Sequence, residues 1–202
     1  MDEQLRQTLN SYTLNALASM DRVMVFIDAG YLQACLRAQF SGRAVDLTRF
    51  ASHLAQGHRL IRTYYYTARI ENPPDPYWKQ QQSQQQSYLA ALAHEPFLEV
   101  RLGRLQFGDG APRQKGVDVM LALDMHRFAL KNNYDLAVLV SGDGDFADIV
   151  RMVKDEGRRV EIVTFPGTRA RALLEAADRG VEVDETFLGG CWREIGQNKS
   201  ST

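Results

Sequence analysis

The 202-residue chain has only two cysteines, Cys35 and Cys191, far apart and in no metal-ligand spacing. That excludes a disulfide framework and a cysteine zinc site, and leaves two reduced thiols. No apolar run is long enough to span a bilayer, so no membrane association is expected. The first twenty residues carry Asp2, Glu3 and Arg6 and lack both a basic start and an unbroken apolar stretch. No signal peptide is therefore expected, and the expected location is cytoplasmic. A formal net charge of −1 gives no global attraction to polyanions, so any nucleic-acid binding has to come from local clusters. The four histidines, His53, His58, His94 and His126, form no HxH, HExxH or HxxxH pair, and Ser141 has no partner base. Histidine metal centres and nucleophilic triads are accordingly unsupported.

What is present is an ordinary globular composition, 45% hydrophobic and 24% charged, in a length that suits one domain with one sizeable core. Leu5, Leu9, Tyr12 and Leu17 predict an amphipathic helix over 3–19, an extension (1–21) whose apolar stripe could pack in trans, as a homo-oligomer, as readily as in cis. Val23–Ile27 is a short, wholly apolar run, the pattern of a strand buried on both faces, and it ends at Asp28. Helices are expected over 31–40 and after a cap at Asp46, then a strand at 60–67, a loop at 72–76 and a helix at 77–95 that absorbs the biased tract QQQSQQQS. A strand at 97–107, a loop at 108–112, a helix at 116–131, a strand at 136–140, a helix at 145–156 and a strand at 159–164 follow. A helix at 168–178 and a short strand at 181–183 close the domain (22–188), and the tail 189–202 is expected to be poorly ordered. Strands alternating with helices predict an α/β fold with a largely parallel sheet.

In such a fold Asp28 and Asp143 both emerge at carboxyl ends of strands, where open α/β sheets bind ligands. Asp118 begins the helix leading into strand 136–140, and so starts at the same edge; Asp145 and Asp148 lie in the next helix's first turns. Two like charges ~4 Å apart repel by about 4 kcal/mol at an effective dielectric of about 20, so such a cluster calls for cations or raised pKa values. A divalent metal resolves the conflict, and oxygen-only ligands favour Mg²⁺ or Mn²⁺. Taken singly, Asp145 and Asp148 are better read as helix-cap or dipole residues. Asp124, six residues past Asp118, points from a different helical face and is left out.

The segments Val25-Phe26-Ile27-Asp28, Lys115-Gly116-Val117-Asp118 through Met125, and Ser141-Gly142-Asp143-Gly144-Asp145-Phe146, with the closing Leu174-Glu175-Ala176-Ala177-Asp178, resemble the NYN domain family of the PIN-like nuclease superfamily, in its LabA-like branch. The resemblance spans roughly 22–188 and implies a Rossmann-like three-layer sandwich with a five- or six-stranded sheet. It also implies a metal-dependent nuclease that leaves a 5′-phosphate, with Asp28, Asp118, Asp143 and Asp145 as the metal-binding and catalytic acids. Many members have Asn three residues after the first Asp; here that position is Tyr31.

On this reading Arg113, Lys115, Arg169 and Arg171 are candidates to hold backbone phosphates, Ser141 to bond the loop or a phosphate, and Tyr31 to stack on a base. The expected partner is nucleic acid, RNA ahead of DNA. A second class keeps the same acidic pocket in a catalytically weak or inactive nucleic-acid or nucleotide-binding regulatory module. Two other acid-rich α/β classes fall behind: DAGYLQ lacks the GxGxxG of dinucleotide binders, and Gly30 stands where a haloacid-dehalogenase-like phosphatase needs its second Asp.

Overall fold

The computed structural model describes residues 20–108, 111–168 and 170–193. The helix expected over 3–19, the candidate Arg169 and the tail beyond 193 lie outside the described residues.

Strand β1, Arg22–Asp28, is apolar throughout its middle because both faces are covered. Val23, Val25 and Ile27 face one core layer, with Leu32, Cys35, Phe50 and Leu54; Met24 and Phe26 face the other, with Leu121, Met125 and Val150. Helices α1 (Ala29–Gln39) and α2 (Leu47–Leu54) cover the first face, α2 being capped by Asp46, which accepts from the Arg49 N–H. Strand β2 (Arg59–Ile70) pairs parallel to β1, and helix α3 (Pro76–Leu92) connects it to β3 (Leu98–Gln106), parallel to β2. A three-residue strand β4 (Arg113–Lys115) then runs antiparallel to β3 and leads into helix α4 (Val117–Leu130).

Strand β5 (Leu136–Val140) returns to pair parallel with β1 on its other side. A 3₁₀ turn (Gly144–Phe146) and helix α5 (Ala147–Asp155) lead to β6 (Arg159–Thr164), followed by α6 (Arg171–Ala176), β7 (Arg179–Glu182) and α7 (Glu185–Leu188). The order β4-β3-β2-β1-β5-β6-β7 makes one seven-stranded sheet, parallel except for β4.

The α/β architecture is as the alternation of strands and helices predicts, but the sheet is larger than five or six strands. The added strand is β4: its three residues Arg113, Gln114 and Lys115 are all exposed, so no hydrophobic pattern marks it, and only pairing with β3 defines it. The helix expected from Thr168 begins at Arg171 instead, because Thr168 is held in a turn by its own bonds to the Phe165 carbonyl. The chain after Gly189 is also packed as far as it is described: Cys191 is buried and Trp192 bridges to Val45. Among the described residues no helix is long and apolar enough to cross a membrane.

Candidate acidic site

β1 and β5 are neighbours, with β2 on the far side of β1 and β6 on the far side of β5. The winding reverses between them, so their carboxyl ends flank the crevice where open parallel sheets bind ligands. Asp28 ends β1 and caps α1: its Oδ1 accepts from the Tyr31 N–H at 3.1 Å. Its other oxygen accepts from the Ser141 hydroxyl at 3.4 Å, and that hydroxyl in turn accepts from the Asp143 N–H at 3.2 Å. Ser141 is fully buried, and its hydroxyl braces the two acid-bearing strand ends. Asp143 closes the 3₁₀ turn by accepting from the Asp145 N–H at 3.0 Å.

Asp118 lies in the first turn of α4, which starts at this edge because Gly116, at φ 78°, turns the chain sharply off β4. Burial, first, and the charge of Asp118 raise the Asp28 carboxyl above the usual carboxylate range. Burial, then Asp143 and Asp145, do the same to Asp118. The four carboxylates therefore share one electrostatic field, and among the described residues no Lys or Arg ion-pairs with any of them.

Asp148, by contrast, pairs with Arg151 on the surface, and Asp124 is buried between Arg101, Arg127 and the Tyr66 hydroxyl, away from this cluster. The histidines are placed elsewhere: His53 stacks on Phe187, His58 faces Asp21 and His126 faces Glu156.

Tyr31 adjoins the site, but its hydroxyl lies 2.6 Å from the Thr168 hydroxyl and accepts from the Phe165 N–H at 3.0 Å. Its ring meets Phe165 edge-on and packs against Gly142, where a Cβ would come within 2.7 Å of the ring and overlap the Thr168 carbonyl. Tyr31 is thus a strut between α1 and the β6–α6 loop, and burial pushes its hydroxyl up to about 12. These contacts give the tyrosine a structural task in the fold.

Arg171 is held by Glu175 one turn along α6, while Arg113 and Lys115 are exposed on β4. Gln114, between them, is a site neighbour that sequence reasoning missed: its amide nitrogen would lie 2.8 Å from a Cβ on Gly30, which itself would be 3.3 Å from Asp28 Oδ1. No signal in the sequence marks it, since β4 exists only through pairing.

The donor set suits a hard divalent cation: four carboxylates, unbalanced by any described cation, two of them with raised pKa values. As the side chains stand, no three His, Cys, Asp or Glu among the described residues are close enough to enclose one ion. Asp118 and Asp145 are exposed, so side-chain rotation is open to them, whereas the Asp143 carboxylate is engaged at the start of the 3₁₀ turn.

The NYN domain model matches residues 22–184. The chain is 26% identical to the low amplitude and bright protein LabA of Synechococcus elongatus over 172 residues, 81% of this chain and 84% of that protein. A crystal structure of a protein of unknown function from Vibrio parahaemolyticus superimposes with a TM-score of 0.61 at 23% identity, covering 82% of this chain and 94% of the other, which shows a shared fold. The family match runs from the start of β1 through all seven strands and contains all four acids, and the chain belongs to the NYN domain family.

Proposed function

We propose that this protein is a metal-dependent nuclease that hydrolyses phosphodiester bonds in single-stranded RNA. The observation that supports it is the placement of Asp28, Asp118, Asp143 and Asp145 at the β1–β5 edge with no described cationic partner, burial and neighbouring carboxylates raising the pKa of Asp28 and of Asp118. Membership of the NYN domain family, within the PIN-like nucleases, points the same way.

In this reading Asp28, Asp118, Asp143 and Asp145 hold one or two Mg²⁺ or Mn²⁺ ions. The chemistry such an ion supplies when bound is polarisation of the scissile phosphate and activation of the attacking water. The chain's own residues do the positioning. Asp28, fixed by the Tyr31 N–H and Ser141, is the least mobile acid and sets the origin of the site. Ser141 transmits that placement to Asp143, and Asp143 fixes the turn that carries Asp145. The phosphate-holding candidates are Arg113 and Lys115 on β4, Arg171 on α6, and Arg169, which lies outside the described residues.

The spread of the carboxylates favours a second reading, a nucleic-acid-binding regulatory module with weak or no catalysis. Labelled single-stranded RNA and DNA incubated with Mn²⁺ or Mg²⁺ separate the two. Under the nuclease reading the wild type cleaves RNA, and Asp143→Asn lowers the rate by about a hundredfold or more, the scale of losing one preorganised electrostatic group. Equal cleavage by both proteins overturns the catalytic assignment. Absence of cleavage by either, with Mn²⁺ raising the melting temperature of the wild type alone, selects the binding module.

A further inference from the structure

β1 stops at Asp28, level with Tyr66 of β2, but β2 and β3 continue side by side to Ile70 and Leu105. Four further residues of β2, roughly 13 Å at the usual strand rise, therefore stand above the acidic edge, and β4 pairs with β3 on this overhang. The result is a three-stranded wall beside the site.

Register places three cations in one row across that wall. Arg69 of β2 is paired with Arg104 of β3, and Arg104 is paired with Lys115 of β4. Residues directly opposite on neighbouring strands share a face, so the row spans three strands and roughly 10 Å. All three are exposed, and among the described residues none ion-pairs with a carboxylate. Like charges directly opposite one another mildly destabilise a sheet, so the triplet favours an anion settling on it. Gln114, which alternates with Lys115 along β4, turns to the other face and approaches Gly30 beside Asp28, so β4 borders both the row and the acidic site.

A second, independent feature adjoins the row. Arg104 and Lys115 line a cleft of about 490 Å³ together with Phe107, Glu71 and Asn72. Phe107 packs edge-on to Trp78 at 5.1 Å, and Trp78 to Tyr77, whose side chain is 61% exposed. Aromatic faces beside a cationic groove are what single-stranded nucleic acids require, since phosphates seek the cations and every base has a face to stack.

We infer that the β2–β3–β4 wall is a binding track for single-stranded nucleic acid, with Arg69, Arg104 and Lys115 holding successive backbone phosphates and the Tyr77–Trp78–Phe107 cluster stacking bases. The track deepens the proposed function and rests on its reading that the site acts on nucleic acid. It extends the contact surface from the acidic crevice along the overhang, which neither β1 nor β5 touches. Phosphate contacts position a strand without reading its sequence, so the track predicts weak sequence preference.

The test is fluorescence anisotropy of the full chain with a fluorescein-labelled oligouridylate in EDTA, where cleavage plays no part. The variants are Arg69→Gln/Arg104→Gln/Lys115→Gln and a charge-matched control, Arg37→Gln/Arg151→Gln/Arg179→Gln, on α1, α5 and β7. Losing three phosphate contacts should flatten the slope of log K against log salt by about 2, since each contact on a single strand contributes about 0.7. The control should keep the wild-type slope. Phe107→Leu should weaken binding by about tenfold with the slope unchanged, as expected for a lost stacking partner.

An unchanged slope in the triple variant, or equal loss in the control, overturns the track. So does wild-type binding to phosphatidylserine vesicles without affinity for the oligonucleotide. If Mn²⁺ produces no cleavage but the slope flattens as stated, the track stands while the nuclease reading falls.

Discussion

Asp28 carries three duties at once: it ends a buried strand, caps α1 and offers charge to the crevice. The first two suit Asn as well as Asp, so Asp28→Asn separates structure from charge. Burial and the charge of Asp118 raise the folded carboxyl above its unfolded value. The folded state therefore binds more protons than the unfolded one across that interval. The stability linked to this proton is fully present below the unfolded pKa and is lost as pH rises through the folded pKa. In EDTA at neutral pH, Asp28→Asn should melt at a higher temperature than the wild type, with the gain shrinking as pH falls through the acid range. Thermal melts across pH check the sign, and added Mn²⁺ should stabilise the wild type more than the variant. Tyr31 illustrates the limit of one-dimensional reading at this scale. Its place beside Asp28 follows from the sequence, yet its bonds to Phe165 and Thr168, more than 130 positions away, decide what it does.

At the scale of elements, the glutamine tract of α3 has a definite task. Once β1 has ended, the overhanging part of β2 has a free edge, and such edges invite pairing with other chains. Gln85 accepts from the Ile70 N–H at 2.9 Å and donates to the Ala68 carbonyl at 2.8 Å, while Gln82 donates to the Ile70 carbonyl at 2.8 Å. Two side chains thus do the work of a missing strand. Gln85→Leu should lower stability by about 1–3 kcal/mol, because it leaves partly buried backbone groups unpaired. A shift in denaturant midpoint measures this, and light scattering should report added self-association. The tract's helical state is legible from the sequence, whereas its partners are not, since the overhang arises from unequal strand lengths. β4 was illegible for a related reason. An exposed Arg-Gln-Lys segment has no periodicity, and its extended form comes from β3 alone.

At the scale of the molecule, the parallel sheet has an acid-bearing carboxyl edge and an amino edge held by an ion pair. At the amino edge Arg22 binds Asp135 through its backbone N–H, Nε and Nη2, and reaches Asn132 with both terminal nitrogens. These bonds hold the start of β1 to the entry of β5, so they fix the pair of strands whose opposite ends carry Asp28 and Asp143. The Arg22 guanidinium holds the Asp135 carboxyl down at about 2. A lowered carboxyl contributes stability that is present above its unfolded pKa and is lost as pH falls through the folded value. The pair is about one-third exposed, so solvent screening limits its worth to about 1 kcal/mol. Asp135→Asn should cost about that much at neutral pH by chemical denaturation, and the difference should vanish as pH approaches about 2.

The sequence by itself determined the alternation of strands and helices, the burial of β1 and β5, and the position of each acid at the end of a strand or start of a helix. Periodicity and capping are local, and local rules act through residues a few positions apart. It also separated Asp124 from the cluster, since helical geometry alone turns that residue onto another face. Only the tertiary structure decided that β1 and β5 are neighbours, that Ser141 joins their two acids, and that Arg69, Arg104 and Lys115 form one row. Those facts depend on which strands pair and in what register, and pairing is a property of the assembled sheet.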